Sequence, residues 1–562
     1  MQFPKRLDLT AGTLLASAFL VLACNSLFWR TFVEATGGLQ VSHAPLYAAT
    51  FLILTLYLNA ILTLFTFRPL FKPLLAVLFL VTAMVAYFMR RYNVVIDAGM
   101  VQNAFETDPR EVYDLLSWRM VVPMLLLGVV PTAILLWMRF DSLPFWRDLL
   151  RRLVVIAASL GVAALLLFIG YKHYAPAFRE HRELRYMFTP LNVLDATRKY
   201  LNKNARPLAV APLGTDAVKG PVWVAGGKRT VLVIVVGETA RAMNFSLNGY
   251  ARQTNPQLAR QAGLINFSNV SSCGTATAVS VPCVFSVFGR ENYSDAKGHG
   301  QEGLLDVLKH AGFDVLWRDN NSGCKGTCDR VRYEDVSAPQ AGDPLCNDEE
   351  CRDEKLLRGL PEAIRASRGD MVIVLHQMGS HGPAYWKRVP DAFARWKPVC
   401  STPDLAKCPT EAIVAAYDNT ILYTDHVLSG TIDLLRKAAA ADRIDTAFLY
   451  FSDHGESLGE KNMYLHGAPY FMAPAEQTRV PMMLWMSDGF RDRFRIDARC
   501  VAARSGEALS HDNVFHSVLG MLDVSTAIYD PGRDLFHACN RRGLRNTSAP
   551  ALAVPGKLVY AR

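Results

Sequence analysis

The side chains best suited to chemistry sit just after short apolar runs. Glu238 follows residues 231–236, Asp319, Asn320 and Asn321 follow 313–317, His376 and His381 follow 371–375, and Asp453 and His454 follow 446–451. In open α/β sheets the ligand crevice lies beyond the carboxyl ends of the strands, so these four segments are expected to converge on one rim. Singly, Glu238 reads as a helix-capping carboxylate, Asp453 as a turn former and His454 as a surface imidazole. Together, two carboxylates and an imidazole suit Zn²⁺ with a fourth position left for the reacting group. The stretch SSCGTATAVSVPCVFS at 271–286 is rich in hydroxyls that could fill that position. If Thr277 opens the helix that follows, it lies where backbone N–H groups and the helix dipole attract an anion. Chemistry alone does not choose Thr277 over Thr275 or Ser280.

The elements that must position these residues are read from the runs themselves. Runs at 231–236, 313–317, 371–375, 446–451 and 480–485 are apolar and β-branched without strict alternation, as strands covered on both faces are. They predict a mostly parallel sheet between helices over 229–562. Ahead of it, 173–228 turns mixed and then Pro/Gly-rich (ARPLAVAPLG, KGPVWVAGG), which predicts a linker with a helix along the membrane surface near 180–201. Residues 1–172 hold five stretches without Asp, Glu, Lys or Arg, at 10–29, 45–67, 73–89, 120–138 and 153–171. At about 1.5 Å per residue each approaches the roughly 30 Å of a bilayer core, so a five-helix membrane domain is expected. The first stretch lacks a clear small-residue cleavage site and four more follow, so it reads as a retained helix. With the N-terminus inside, the inner segments carry eight Lys/Arg against five in the outer loops. That places everything after residue 172 across the inner membrane.

Cysteine usage points to the same side. Of 11 cysteines only Cys24 lies in the membrane half; the rest fall as Cys273/Cys283, Cys324/Cys328, Cys346/Cys351, Cys400/Cys408 and Cys500/Cys539. An even, mostly close-paired set on the exported side reads as disulfides, and no C-x-x-C supports a zinc finger. The 562 residues exclude a lone small domain, and a net charge of +9 without any Lys/Arg run of five gives no sign of a nucleic-acid partner. Mean hydropathy is +0.13, apolar for a soluble chain.

With these residues in view, the chain resembles the bacterial phosphoethanolamine transferases, which include the lipid A enzymes and the mobile colistin-resistance proteins and share the alkaline phosphatase/sulfatase fold. The resemblance rests on the five-helix N-terminal half, GETAR at 237–241, SCGTATAVSVPC at 272–283, DNNSGCKG at 319–326, SHGP at 380–383, SDHGESLGE at 452–460 and YLHG at 464–467. It implies Zn²⁺ held by Glu238, Thr277, Asp453 and His454, with Thr277 as nucleophile. It implies that His381 and His466 bind substrate phosphate, protonate a leaving group or hold additional zinc, and that Asn321 and Lys325 donate to the ligand. Asn103, Thr107 and Glu111 recur at intervals of four, which would put them on one helix face, and the family uses such a face for the lipid headgroup. The activity implied is ping-pong transfer of phosphoethanolamine from phosphatidylethanolamine to lipid A by a monomer in a Gram-negative inner membrane, giving resistance to polymyxin and other cationic peptides. Rival readings are a core-sugar or other glycan acceptor, a phosphoglycerol transferase of lipoteichoic-acid type, a sulfatase, whose C-x-P-x-R motif is missing, and a catalytically silent, membrane-anchored metal-binding protein.

Overall fold

The structure is a computed structural model describing residues 7–65, 67–106, 118–141, 144–204, 209–340, 342–347 and 349–540. The membrane half comprises α1 (Leu9–Ala23), α2 (Ser26–Ala35), α3 (Ala44–Leu64), α4 (Arg68–Tyr92), α5 (Ala98–Glu106), α6 (Trp118–Trp137) and α7 (Phe145–Glu180). Among the described residues, four helices could cross a membrane by length and composition, or five if the bent α1–α2 pair is one span. The helix expected at 10–29 falls on that pair, which bends by 63°. The bend has a local cause. Buried Asn25 donates its amide to the Leu20 carbonyl (2.9 Å) and to the Thr189 carbonyl (2.8 Å), and accepts from the Thr189 N–H (2.8 Å). An amide in an apolar setting is costly unless paired, so the chain turns where these partners are. Thr13 and Asn59 bond across α1 and α3 (2.8 Å), and Asn59 reaches Ser159 on α7 (3.1 Å), polar ties of the kind that join apolar helices. After α7 a 3₁₀ turn at Arg182–Tyr186 leads into α8 (Leu191–Asn204), and Phe105 at the end of α5 stacks on Tyr200 of α8 at 5.2 Å.

Beyond residue 209 the chain builds an eight-stranded sheet from β1 (Thr230–Gly237), β2 (Ile265–Ser271), β3 (Asp314–Asp319), β4 (Arg332–Asp335), β5 (Met371–His376), β6 (Asp445–Ser452), β7 (Arg479–Met486) and β8 (Leu509–Ser510). The order is β8-β2-β7-β6-β1-β5-β3-β4. All neighbours are parallel except β7, which runs antiparallel to both β6 and β2. Every residue of β1 is buried. Leu232, Ile234 and Val236 enter one core with Phe285, Trp317 and Phe515, while Val231, Val233 and Val235 enter the other with Tyr417, Ile421 and Leu428. This is the period-two alternation of a strand with a core on each face. The five apolar runs are all strands. β2, β4 and β8 were not expected: β2 (INFSNVS) alternates buried and more exposed residues, β4 is polar and β8 has two residues.

Candidate active site

β1 ends at Gly237 and delivers Glu238; β6 ends at Ser452 and delivers Asp453 and His454; both strands are central and adjacent. β2 runs out into the loop that leads to α9 (Thr277–Val284), so Thr277 opens that helix. The ligand atoms of Glu238, Asp453 and His454 all lie within 4.8 Å of one another, and all three residues are buried. Thr277 Oγ1 lies 3.1 Å from Glu238 Oε2 and 3.3 Å from His454 Nε2. The other two hydroxyls are committed elsewhere: Thr275 donates to the Ala468 carbonyl and Ser280 to the Asp453 carbonyl, each at 2.6 Å. Thr277 is thus the hydroxyl that geometry sets among the carboxylates and the imidazole.

The electrostatics show what the cluster is suited to hold. Burial, together with the neighbouring Glu238 charge, pushes the Asp453 carboxyl well above the usual range. Burial would raise Glu238 too, but the imidazoles of His454, His381 and His466 outweigh it and hold that carboxyl low, at about 2. Burial pushes His454 below its ordinary value, toward the neutral form that ligates metals. His454 Nδ1 lies 2.9 Å from the Gly455 carbonyl, which assigns the proton there and leaves the Nε2 lone pair facing Thr277. Asp453 Oδ2 is buried and accepts no hydrogen bond among the described residues. Two buried like charges, a free imidazole lone pair and an orphaned carboxylate oxygen fit a divalent cation.

The comparisons with known proteins follow the same line. A family model described as sulfatase matches residues 230–524, and one described as phosphoethanolamine transferase EptA/EptB matches residues 54–205. Phosphoethanolamine transferase EptA of Escherichia coli (strain K12) is 38% identical over 538 residues, 95% of this chain and 98% of that protein. Phosphatidylethanolamine transferase Mcr-1 of Escherichia coli is 39% identical over 492 residues, 85% of this chain and 87% of that one. The chain belongs to the phosphoethanolamine transferases. The solved structure of the integral membrane lipooligosaccharide phosphoethanolamine transferase A from Neisseria meningitidis matches with a TM-score of 0.89 at 34% identity, covering 96% of this chain and all of that one (100%). The architecture is therefore an apolar helical N-terminal half followed by an α/β domain of alkaline phosphatase/sulfatase type.

Around the centre of this phosphoethanolamine transferase the remaining expected residues take distinct places. The His466 ring lies 4.4 Å from that of His454 and 5.4 Å from that of His381. His466 Nδ1 lies 2.9 Å from Glu456 Oε2, and Glu456 Oε1 accepts from the Tyr385 hydroxyl at 2.6 Å. Glu456 and Tyr385 therefore aim the His466 ring. The sequence motif contains Glu456 but gives it no task, and nothing in the sequence singles out Tyr385. Asn321 donates to Glu238 Oε2 and to the Gln377 carbonyl. The Lys325 ammonium donates to the Ser322 carbonyl and hydroxyl at 2.9 Å, on a loop closed by the Cys324–Cys328 disulfide. The other disulfides are Cys273–Cys283, Cys346–Cys351, Cys400–Cys408 and Cys500–Cys539. Asn103 lies on α5, which packs against α9, while Thr107 and Glu111 lie outside the described residues.

Proposed function

We propose that this enzyme transfers phosphoethanolamine from phosphatidylethanolamine to a phosphate of lipid A at the periplasmic face of a Gram-negative inner membrane. The relatives carry names of this kind: besides the two above, a Kdo(2)-lipid A phosphoethanolamine 7''-transferase of Escherichia coli (strain K12) is 27% identical. The observation that carries the reading is Thr277 Oγ1 set between Glu238 and His454 beside the orphaned Asp453 oxygen. These four residues would hold Zn²⁺, which when bound favours the alkoxide form of a hydroxyl and offsets charge on the transferring phosphoryl group. Thr277 Oγ, its proton released to solvent as the alkoxide forms, attacks the donor phosphorus, and the bond from phosphorus to the diacylglycerol oxygen breaks. That oxygen takes a proton from His466 or His381, leaving a phosphoethanolamine–threonine ester. An acceptor phosphate oxygen then attacks the same phosphorus, and Thr277 departs with its oxygen. Both lipids are confined to the membrane surface, so anchoring the catalytic domain beside it makes each encounter local. Each ammonium added offsets one anionic charge of lipid A, which weakens binding of polymyxin and other cationic peptides.

The test is a two-stage incubation of the purified enzyme. With phosphatidylethanolamine labelled in the ethanolamine, label is expected on the peptide containing Thr277 and is expected to move to lipid A on its addition. Thr277→Ala is expected to accumulate no label and to lose activity by at least about 10³-fold, in the range for loss of a covalent nucleophile. Label retained by Thr277→Ala would remove the nucleophile assignment; label that moves to a glycan and not to lipid A would remove the acceptor.

A further inference from the structure

We infer that Asn321 is a positioning residue for the carboxylate of Glu238, and so governs how tightly the centre holds its cation. Asn321 lies just beyond β3 and is buried. Its Nδ2 donates both protons, to Glu238 Oε2 and to the Gln377 carbonyl, each at 2.8 Å, and its Oδ1 accepts from the Ser322 N–H at 2.6 Å. Both donors are spent inside the protein. The oxygen it grips is the one 3.1 Å from Thr277 Oγ1, while Glu238 Oε1 accepts from the Thr239 hydroxyl. A carboxylate held at both oxygens cannot swing about its last bond, so the lone pair left over is aimed at one point.

Asn321 is itself fixed from behind. Fully buried Asp319 accepts from the Asn321 N–H (2.8 Å), the Gly323 N–H (3.2 Å), the Trp317 indole (2.7 Å) and His376 Nδ1 (2.9 Å). The main chain of Glu238 is held as closely: its carbonyl accepts from the Ser380 N–H (3.0 Å), and a Cβ at Gly379 would lie 2.6 Å from that carbonyl oxygen. Gly379 has φ +54°, so glycine is needed there for both backbone and space. Three strand ends thus meet at Glu238, and Asn321 and Thr239 between them grip its two carboxylate oxygens. Partners that orient a metal ligand in this way typically change metal affinity by about 10–100-fold when removed.

The inference rests on the cluster being a Zn²⁺ holder, and the experiment separates the two. Full-length enzyme, Asn321→Ala and the similarly sized Asn321→Leu are purified and titrated with a chelator while bound zinc is measured. Kinetics on phosphatidylethanolamine are then taken at saturating zinc, and thermal unfolding is followed without metal. Both variants are expected to release zinc at about 10–100-fold lower free chelator than wild type. Their KM is expected to stay near the wild-type value and their kcat to recover in part as zinc is raised, while their metal-free unfolding reads separately the stability lost with the bonds to Gln377 and Ser322. Wild-type zinc retention with a raised KM in both variants would make Asn321 a substrate donor and overturn the inference. A wild type that takes up no zinc would overturn the cation reading, and the inference with it.

Discussion

Without a cation, Glu238 disfavours the charged form of Asp453 in a place where water cannot screen it; this sets one of two expectations at the scale of single residues. A bound cation stabilises the folded state by mass action, about 4 kcal/mol when free metal is a thousandfold above Kd. Dialysis against chelator is therefore expected to lower the thermal midpoint, and zinc to restore it. An unchanged midpoint, measured by calorimetry, would remove the cation from the centre. The second expectation concerns His511, whose Nδ1 accepts from the Cys273 N–H at 3.1 Å and so steadies the loop ahead of Thr277. Burial pushes this imidazole down to about 3. Between that value and about 6.5 the unfolded chain binds a proton that the folded one does not, so stability falls as pH is lowered through this window and is fully present above it. In metal-free protein, His511→Gln is expected to make stability less steep in pH by about 1.4 kcal/mol per unit between pH 4 and 6. Equal slopes for wild type and variant, from urea unfolding at several pH values, would show that His511 does not carry this term.

At the scale of elements, the proposed chemistry turns on α9, because its first residue is Thr277 and the Cys273–Cys283 bond closes the loop around it. Closing a loop of that length contributes about 2–3 kcal/mol in the chain-entropy account. Cys273→Ser with Cys283→Ser is expected to lose about that much stability and to lower turnover, because the hydroxyl is no longer held over Glu238. Unfolding midpoints and kcat, compared with the same changes at Cys346 and Cys351, check that the effect on turnover belongs to this loop. The elements differ in how far they could be read beforehand. Strands buried on both faces, such as β1, declare themselves as apolar runs; β2 does not, because its asparagines and serines alternate with its core residues. The close cysteine pairs and the segments carrying Glu238, Asp453 and His454 were legible because they are local. By residue chemistry alone, without the family resemblance, Thr277 was not separable from Thr275 and Ser280, because what occupies those two hydroxyls is the Ala468 and Asp453 carbonyls, far away in the chain. The bend at Asn25 was hidden for the same reason, its partner being Thr189.

At the scale of the whole molecule, the membrane half meets the catalytic domain where α5 packs against α9 and, among the described residues, grips it at two further places. One is apolar. The loop after His466 sends Gly467 N–H to the Thr275 carbonyl (2.7 Å) and the Tyr470 hydroxyl to the Ser272 carbonyl (2.9 Å), and then packs Met472 against the buried cluster that includes Leu184 and Met187 and sets Phe471 5.7 Å from Tyr186. The other is ionic. Asp404, 2% exposed and within the Cys400–Cys408 loop, pairs with Arg91 at the end of α4, with Arg119 on α6 (3.4 Å) and with Lys407 (3.3 Å). Removing one partner of a buried ion pair is strongly destabilising, by about 3–5 kcal/mol, because the other charge is left uncompensated. Here Asp404→Ala leaves the partly exposed Arg91 and Arg119 without their shared carboxylate, which moderates the cost, while the sheet and the centre of Glu238, Thr277, Asp453 and His454 are untouched. The expected result is faster hydrogen exchange in α5 and in 399–408, with zinc content unchanged. Turnover of bilayer-embedded phosphatidylethanolamine is expected to fall several-fold more than turnover of a short-chain analogue in detergent, since only the first requires the catalytic domain to be held over the membrane. Equal losses on both substrates would place Asp404 in the stability of the catalytic domain alone, and unchanged exchange in α5 would show that the ionic contact does not hold the two halves together.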